Sequence, residues 1–139
     1  MPPEPGATAE VSLVVPDERT ADAMGNRGVR VFATPFVIAL LEDASAAVLR
    51  PHLPAGGASV GTMIEMRHLA ATPVGMTVTI TVELTEIDRR RLAFRVAVRD
   101  ELDEAGKGTH ERFIVDAAQR MPRLQEKMNR WKAAGGKPA

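Results

Sequence analysis

The stretch Thr34-Pro35-Phe36-Val37-Ile38-Ala39-Leu40-Leu41-Glu42-Asp43-Ala44-Ser45-Ala46-Ala47-Val48-Leu49-Arg50-Pro51-His52 decides how the chain is built. Between Phe36 and Leu49 only Glu42, Asp43 and Ser45 are polar. Thr34 followed by Pro35 reads as a helix start, because a hydroxyl at the cap accepts an orphan N–H and proline is preset for the first helical position. Pro51 ends the helix. At about 100° per residue Val37, Leu41, Ala44 and Val48 stack on one face. Leu40 and Ala47 flank it on one side, Ile38, Ser45 and Leu49 on the other. That face is core. The back carries Pro35, Ala39, Asp43 and Ala46, poor in charge for a wet face, which predicts a covering partner. Glu42 falls roughly 130° from the centre of the core face. Exposed, such a glutamate is ordinary; covered, it needs a partner or a chemical role.

The 139 residues suffice for a single domain, 1–139, with one core. Acidic and basic side chains balance at 18 each, so no overall field favours nucleic acid or an anionic membrane. The absence of cysteine excludes a disulfide framework, a thiolate metal site and a cysteine nucleophile. His52, His68 and His110 are too far apart in sequence to share a helical turn, so no metal is expected. The N-terminus lacks a basic region and an apolar run, and the expected location is the cytoplasm.

Residues 1–6 read as a Pro-rich flexible leader and 134–139 as a flexible tail. Thr8 to Val15 reads as a strand, Glu18 to Met24 as a short helix, and Gly25 to Gly28 as a joint that is either a lid or a connector. After the long helix come strands over Ala58–Leu69, Met76–Leu84, Leu92–Val98 and Lys107–Asp116. In the first of these Val60, Thr62, Ile64, Met66 and His68 share a face by simple alternation. Pro122 to Ala133 is expected to be helical, with Leu124, Met128 and Trp131 as an anchoring stripe. The outline is α+β: an antiparallel sheet wrapped around a long central helix, with an extra C-terminal helix. Two open sheet edges predict a homodimer.

Val31-Phe32-Ala33-Thr34, Phe36 two residues further on, and Glu42 eight after the threonine resemble the fluoroacetyl-CoA thioesterase group of hotdog-fold proteins. Gly61-Thr62 ahead of His68, Ala70-Ala71-Thr72-Pro73 with Gly75 and Thr77-Val78-Thr79, Arg90-Arg91-Leu92, and Gly108-Thr109-His110-Glu111-Arg112 continue the likeness, which spans roughly Val31 to Arg112. The resemblance implies a dimeric hotdog fold and hydrolysis of an acyl-CoA thioester, with coenzyme A as part of the substrate and no cofactor. By position it implies Thr34, Glu42 and His68 as catalytic, Glu42 being base or nucleophile, and Gly61, Phe32 and Phe36 as substrate-binding. The chemistry suits these types: a thioester carbonyl needs a nucleophile or activated water, a donor for the developing oxyanion, and a proton carrier. Thr34 and Glu42 lie roughly 12 Å apart along the helix, so they meet through a substrate rather than directly.

In that group aromatic residues just ahead of the threonine form a lid over a very small acyl group. Here the place reads Met24-Gly25-Asn26-Arg27-Gly28, with only Phe32 aromatic nearby. A short or medium acyl-CoA other than fluoroacetyl-CoA is therefore expected. His110 and Glu111 are read as structural or edge residues and left outside the site. Arg89, Arg90 and Arg91 form a charged turn, either solvated or facing coenzyme A phosphates. The alternatives are a non-catalytic acyl-CoA-binding module and an enoyl-CoA hydratase, although the Asp and His pair of hotdog hydratases is not found.

Overall fold

The structure, a computed structural model, describes residues 2–139; Met1, part of the expected leader, lies outside the described residues. Strand β1 (Thr8–Val14) is followed by helix α1 (Thr34–Leu49), strands β2 (Gly57–His68), β3 (Thr77–Asp88), β4 (Arg91–Arg99) and β5 (Glu104–Asp116), and helix α2 (Ala117–Ala133). The strands form a single antiparallel sheet in the order β1-β3-β4-β5-β2. Strands β1 and β2 are its edges.

Helix α1 lies on one face of this sheet, against β1, β2 and β3. The predicted stripe is the buried one: Val37, Leu41, Ala44 and Val48 are covered, with Leu40, Ser45 and Leu49 beside them. They pack on the inward rows of the β3–β4 hairpin, Val78, Ile80, Val82 and Leu84 with Leu92, Phe94, Val96 and Val98. Alternation dictates this directly, since every second side chain of a strand faces the same way. The Ser45 hydroxyl donates to the Leu41 carbonyl at 2.7 Å, which satisfies it inside the core. Pro35, Ala39 and Asp43 on the back of α1 are exposed, so nothing among the described residues supplies the cover that their composition predicts.

Several boundaries differ from the sequence expectation. Glu18–Met24 is not a helix: a single 3-10 turn spans Asp17–Arg19, and the chain then folds back on itself. There the Ala21 N–H donates to the Val31 carbonyl, the Asp22 N–H to Val29, and the Gly28 N–H to the Asp22 carboxylate at 2.8 Å. An aspartate that captures a loop N–H offers the backbone an alternative to helix, and two glycines make that alternative cheap. Strand β2 carries a bulge between Gly61 and Met63 in its pairing with β5. The extra residue shifts the alternation, so Thr62 does not share the inward face with Ile64 and His68, and Gly61 looks inward instead of Met63.

Helix α2 starts five residues ahead of Pro122, at Ala117, capped by the Asp116 carboxylate accepting from the Ala118 N–H at 2.9 Å. Its expected anchoring stripe does not anchor. Leu124, Met128 and Trp131 are 55%, 37% and 44% exposed, and the main contact of the helix with the sheet is with β5, the strand it follows.

Candidate active site

Two polar clusters stand on the inward side of the sheet around α1. The first is built where α1 begins and β2 ends. The chain enters α1 along the segment that follows β2, because the Phe32 N–H donates to the Thr72 carbonyl at 2.8 Å and Val31 bridges to Pro73. That lacing lays the first residue of α1 beside the last residue of β2. Thr34 Oγ1 stands 2.7 Å from His68 Nδ1. The sequence expectation that the Thr34 hydroxyl caps the helix is overturned: Ala33 is the cap, no side chain bonds to it, and Thr34 is the first helical residue. A hydroxyl released from capping is available to an imidazole. Partial burial lowers the His68 pKa from its ordinary value, so the ring is neutral at pH 7 and its Nδ1 can accept the Thr34 proton.

Thr34 and His68 open onto a cavity of about 340 Å³, whose lining includes Phe32, Ala33, Ala70, Ala71 and the loop residues Ala21, Asn26 and Val29. Its volume falls within the range of small-molecule sites, about 300–1,000 Å³, and its walls are mostly apolar. Phe32, expected at the substrate, lines this cavity. Phe36 stacks on Phe32 with ring centroids 6.4 Å apart, and the Arg19 guanidinium lies 5.7 Å over the Phe36 ring. The loop that the resemblance marks as lid is a wall of this cavity, and it contributes no aromatic side chain.

The second cluster surrounds Glu42. Two helical turns beyond Thr34, its Oε2 accepts from Arg112 Nη1 at 3.3 Å. Arg112 is nearly fully buried on β5, donating from Nε to Ser59 Oγ and from Nη2 to the Ser59 carbonyl, both at 3.0 Å. Its Nη1 also lies 3.3 Å from His110 Nε2. Gly61 completes the cluster by having no side chain: a Cβ there would fall 2.6 Å from Glu42 Oε2 and 3.1 Å from His110 Cε1. Among the described residues no hydrogen bond joins Glu42 to Thr34 or His68. The imidazole beside Glu42 is therefore that of His110, which sequence reasoning left outside the site, and the cation is Arg112, which it did not single out. The available signal was the spacing of two along one strand, which places His110 and Arg112 on the same face.

At the far end of the β3–β4 hairpin, Arg91 is tied to Glu86 and Glu111, leaving Arg89 and Arg90 exposed on the turn. Among the described residues no group of three His, Asp or Glu could hold a metal ion, and no helix is long and apolar enough to cross a membrane.

Known proteins share this architecture. A fluoroacetyl-CoA thioesterase of Streptantibioticus cattleyicolor is 48% identical over 85 residues, which are 61% of this chain and 61% of that protein; the match thus spans about three-fifths of its length. The crystal structure of the fluoroacetyl-CoA thioesterase FlK superposes with a TM-score of 0.82 at 36% identity, covering 89% of this chain and 96% of FlK. A thioesterase-superfamily member from Thermus thermophilus gives a TM-score of 0.88 at 28% identity over 95% and 98% of the two chains. A hot-dog-like protein from Thermanaerovibrio acidaminovorans, 22% identical with a TM-score of 0.83 over 88% and 91%, shares the fold. With residues 15–118 matching the fluoroacetyl-CoA-specific thioesterase family typified by FlK, this hotdog-fold chain belongs to that family.

Proposed function

We propose that the protein is a thioester hydrolase that cleaves an acyl-CoA to the free acid and coenzyme A. The observation that carries this reading is the 2.7 Å contact between Thr34 Oγ1 and a neutral His68 at the wall of an apolar cavity. In the reaction the carbonyl carbon gains a bond to oxygen, from Thr34 or from a water that Thr34 holds, while the attacking oxygen gives up its proton. His68 takes that proton through Nδ1 and returns it to the departing sulfur as the C–S bond breaks. A threonine nucleophile then needs a water to release the acid by the same route. If Glu42 reaches the same acyl group it replaces one of these roles, either as the base that takes the proton of the attacking water or as the nucleophile whose acyl anhydride water then hydrolyses, with Thr34 and His68 assisting.

Within one chain Glu42 bonds to Arg112 rather than to the Thr34 and His68 pair. A homodimer paired along β2, with its two-fold axis crossing the strand between Gly61 and His68, brings the Glu42 end of one protomer to the Thr34 end of the other. The open edge of β2 and the uncovered back of α1 support such pairing. Mixing Glu42→Ala with His68→Ala protein restores part of the activity if the site is shared between protomers; no recovery removes that arrangement.

The cavity wall supports a reading of the substrate class. A loop of Ala21, Asn26 and Val29 with no aromatic side chain leaves room for a short or medium acyl group rather than demanding fluoroacetyl. Thiol release from a series of straight and branched acyl-CoAs tests both points. Hydrolysis should peak above two carbons and fall at least a hundredfold in Thr34→Val and His68→Ala. Tight binding without turnover across the series would instead make the protein an acyl-CoA-binding module, and hydration of a crotonyl thioester would make it a hydratase.

A further inference from the structure

The hydrolase reading uses Glu42 but does not say what holds it. His110 is completely buried on β5, between Phe94 of β4 and Ile64 of β2 in register, with its ring centroid 6.1 Å from that of Phe94. Its two nitrogens face groups of opposite character. Nδ1 lies 2.8 Å from the Met63 carbonyl, which can only accept, so Nδ1 carries a hydrogen. Nε2 lies 3.3 Å from Arg112 Nη1, which can only donate, so Nε2 must be the bare nitrogen. One tautomer satisfies both contacts: neutral, with the proton on Nδ1. A second proton on Nε2 would set N–H against N–H and a cation against the guanidinium. The charged groups acting on this ring are Arg112, Glu42 and Glu111; burial holds its pKa down, with Arg112 adding to the effect and the two carboxylates and the Met63 carbonyl opposing it.

We propose that His110 is a positioning residue: as a fixed neutral acceptor it aims Nη1 of Arg112 at Glu42, and through Arg112 it orients the carboxylate for the acyl-CoA reaction. The bulge in β2 is part of the device. It lies between Gly61 and Met63, where the Met63 carbonyl meets His110 Nδ1 and the bare Cα of Gly61 leaves space for Glu42. Ser59 holds the other edge of the guanidinium through Nε and Nη2. Nη1 is thus left with two hydrogens and two acceptors, Glu42 and His110. Without the imidazole, one hydrogen of a buried cation has no partner, and the barrier to turning the guanidinium falls although Ser59 and Glu42 still hold it.

The proposal rests on the hydrolase reading, and its test separates the two. Nitrogen-15 NMR of the full chain reads His110 without any substrate. The expected result is a neutral ring protonated on Nδ1 at pH 6.5; a ring charged there or protonated on Nε2 overturns the proposal. The Arg112 Nη resonances should be resolved in the wild type, averaged by rotation in His110→Phe, which keeps a ring against Phe94, and resolved again in His110→Gln, which supplies a donor and an acceptor. Unchanged Arg112 signals in His110→Phe also overturn it. If the wild type hydrolyses no acyl-CoA, the hydrolase reading fails while these two measurements still judge the positioning. With activity present, His110→Phe should lower kcat about a hundredfold at similar KM, and His110→Gln should recover most of it. Should His110→Phe not fold, His110→Asn, which keeps the Met63 contact and loses the Arg112 one, takes its place. Equal losses in all variants, in step with melting temperature, mean that His110 is packing only.

Discussion

Replacing Gly61 by alanine separates stability from chemistry at this site. The new Cβ would stand 2.6 Å from Glu42 Oε2, about 0.8 Å inside ordinary van der Waals contact, and 3.1 Å from His110 Cε1. Arg112 Nη1 at 3.4 Å needs no adjustment. The carboxylate ends a flexible side chain that is 40% exposed, so it can swing toward solvent without moving backbone. Alanine also gains about 0.5–1 kcal/mol over glycine within a strand, which offsets the small cost at His110. The net change in stability should stay within about 1 kcal/mol, a shift of roughly 4 °C in melting temperature. The displaced Glu42 loses its 3.3 Å contact with Arg112, and misplacement on this scale costs about a hundredfold in kcat. A thermal melt and thiol release from the best acyl-CoA substrate measure the two effects. Wild-type turnover in Gly61→Ala would refute the assignment of Glu42 to the chemistry; loss of folding would refute the account of Glu42 as the part that yields.

The pH dependence carries a definite sign. Burial lowers the pKa of both His68 and His110 from the ordinary 6.5, so below that pH the unfolded chain takes up protons that the folded chain refuses. Melting temperature should therefore be level from pH 8 to about 7 and decline as pH falls below 6.5, ahead of carboxylate protonation at about pH 4; a rise over that interval contradicts the burial of both rings. With His68 as proton acceptor, the acid limb of kcat/KM should lie below 6.5, and a limb above it would remove His68 from that role. Leu41→Ala, at a fully buried position under the β3–β4 hairpin, should cost about 2–5 kcal/mol in denaturant unfolding, whereas a cost below 1 would mean that α1 is not the centre of the core. Trp131→Ser on α2 should cost less than about 1 kcal/mol in thermal unfolding, since its ring is 44% exposed and packs on Gly136 at the helix end rather than on the sheet; a larger loss would mean that the stripe is covered in solution.

The alternation of Val78, Ile80, Val82 and Leu84 and the 3.6-residue rhythm of Val37, Leu41, Ala44 and Val48 made the α+β architecture legible in the sequence, because both depend only on near neighbours along the chain. The resemblance to the thioesterase family pointed to Thr34, His68, Glu42 and Gly61 as candidates. It could not say which of them meet. The β2 bulge inserts one residue between Gly61 and Met63, and simple counting from Val60 onward then assigns the wrong face. The short helix read into Glu18–Met24 was lost to contacts that reach beyond it, from Asp22 to Gly28 and from Ala21 to Val31. Helix α2 shows the same limit. Its stripe at Leu124, Met128 and Trp131 has helical spacing, but spacing does not name the surface it faces.

Residue identities and their periods thus determined the helix, the strands and the chemical types present. The tertiary structure decided the pairings: His68 with Thr34, 34 residues apart, and Glu42 with Arg112, 70 apart. A periodic pattern reports only which side of its own element a residue occupies. Contacts between elements depend on sheet order, register and one extra residue in an edge strand, which are properties of the assembled sheet and of no single segment.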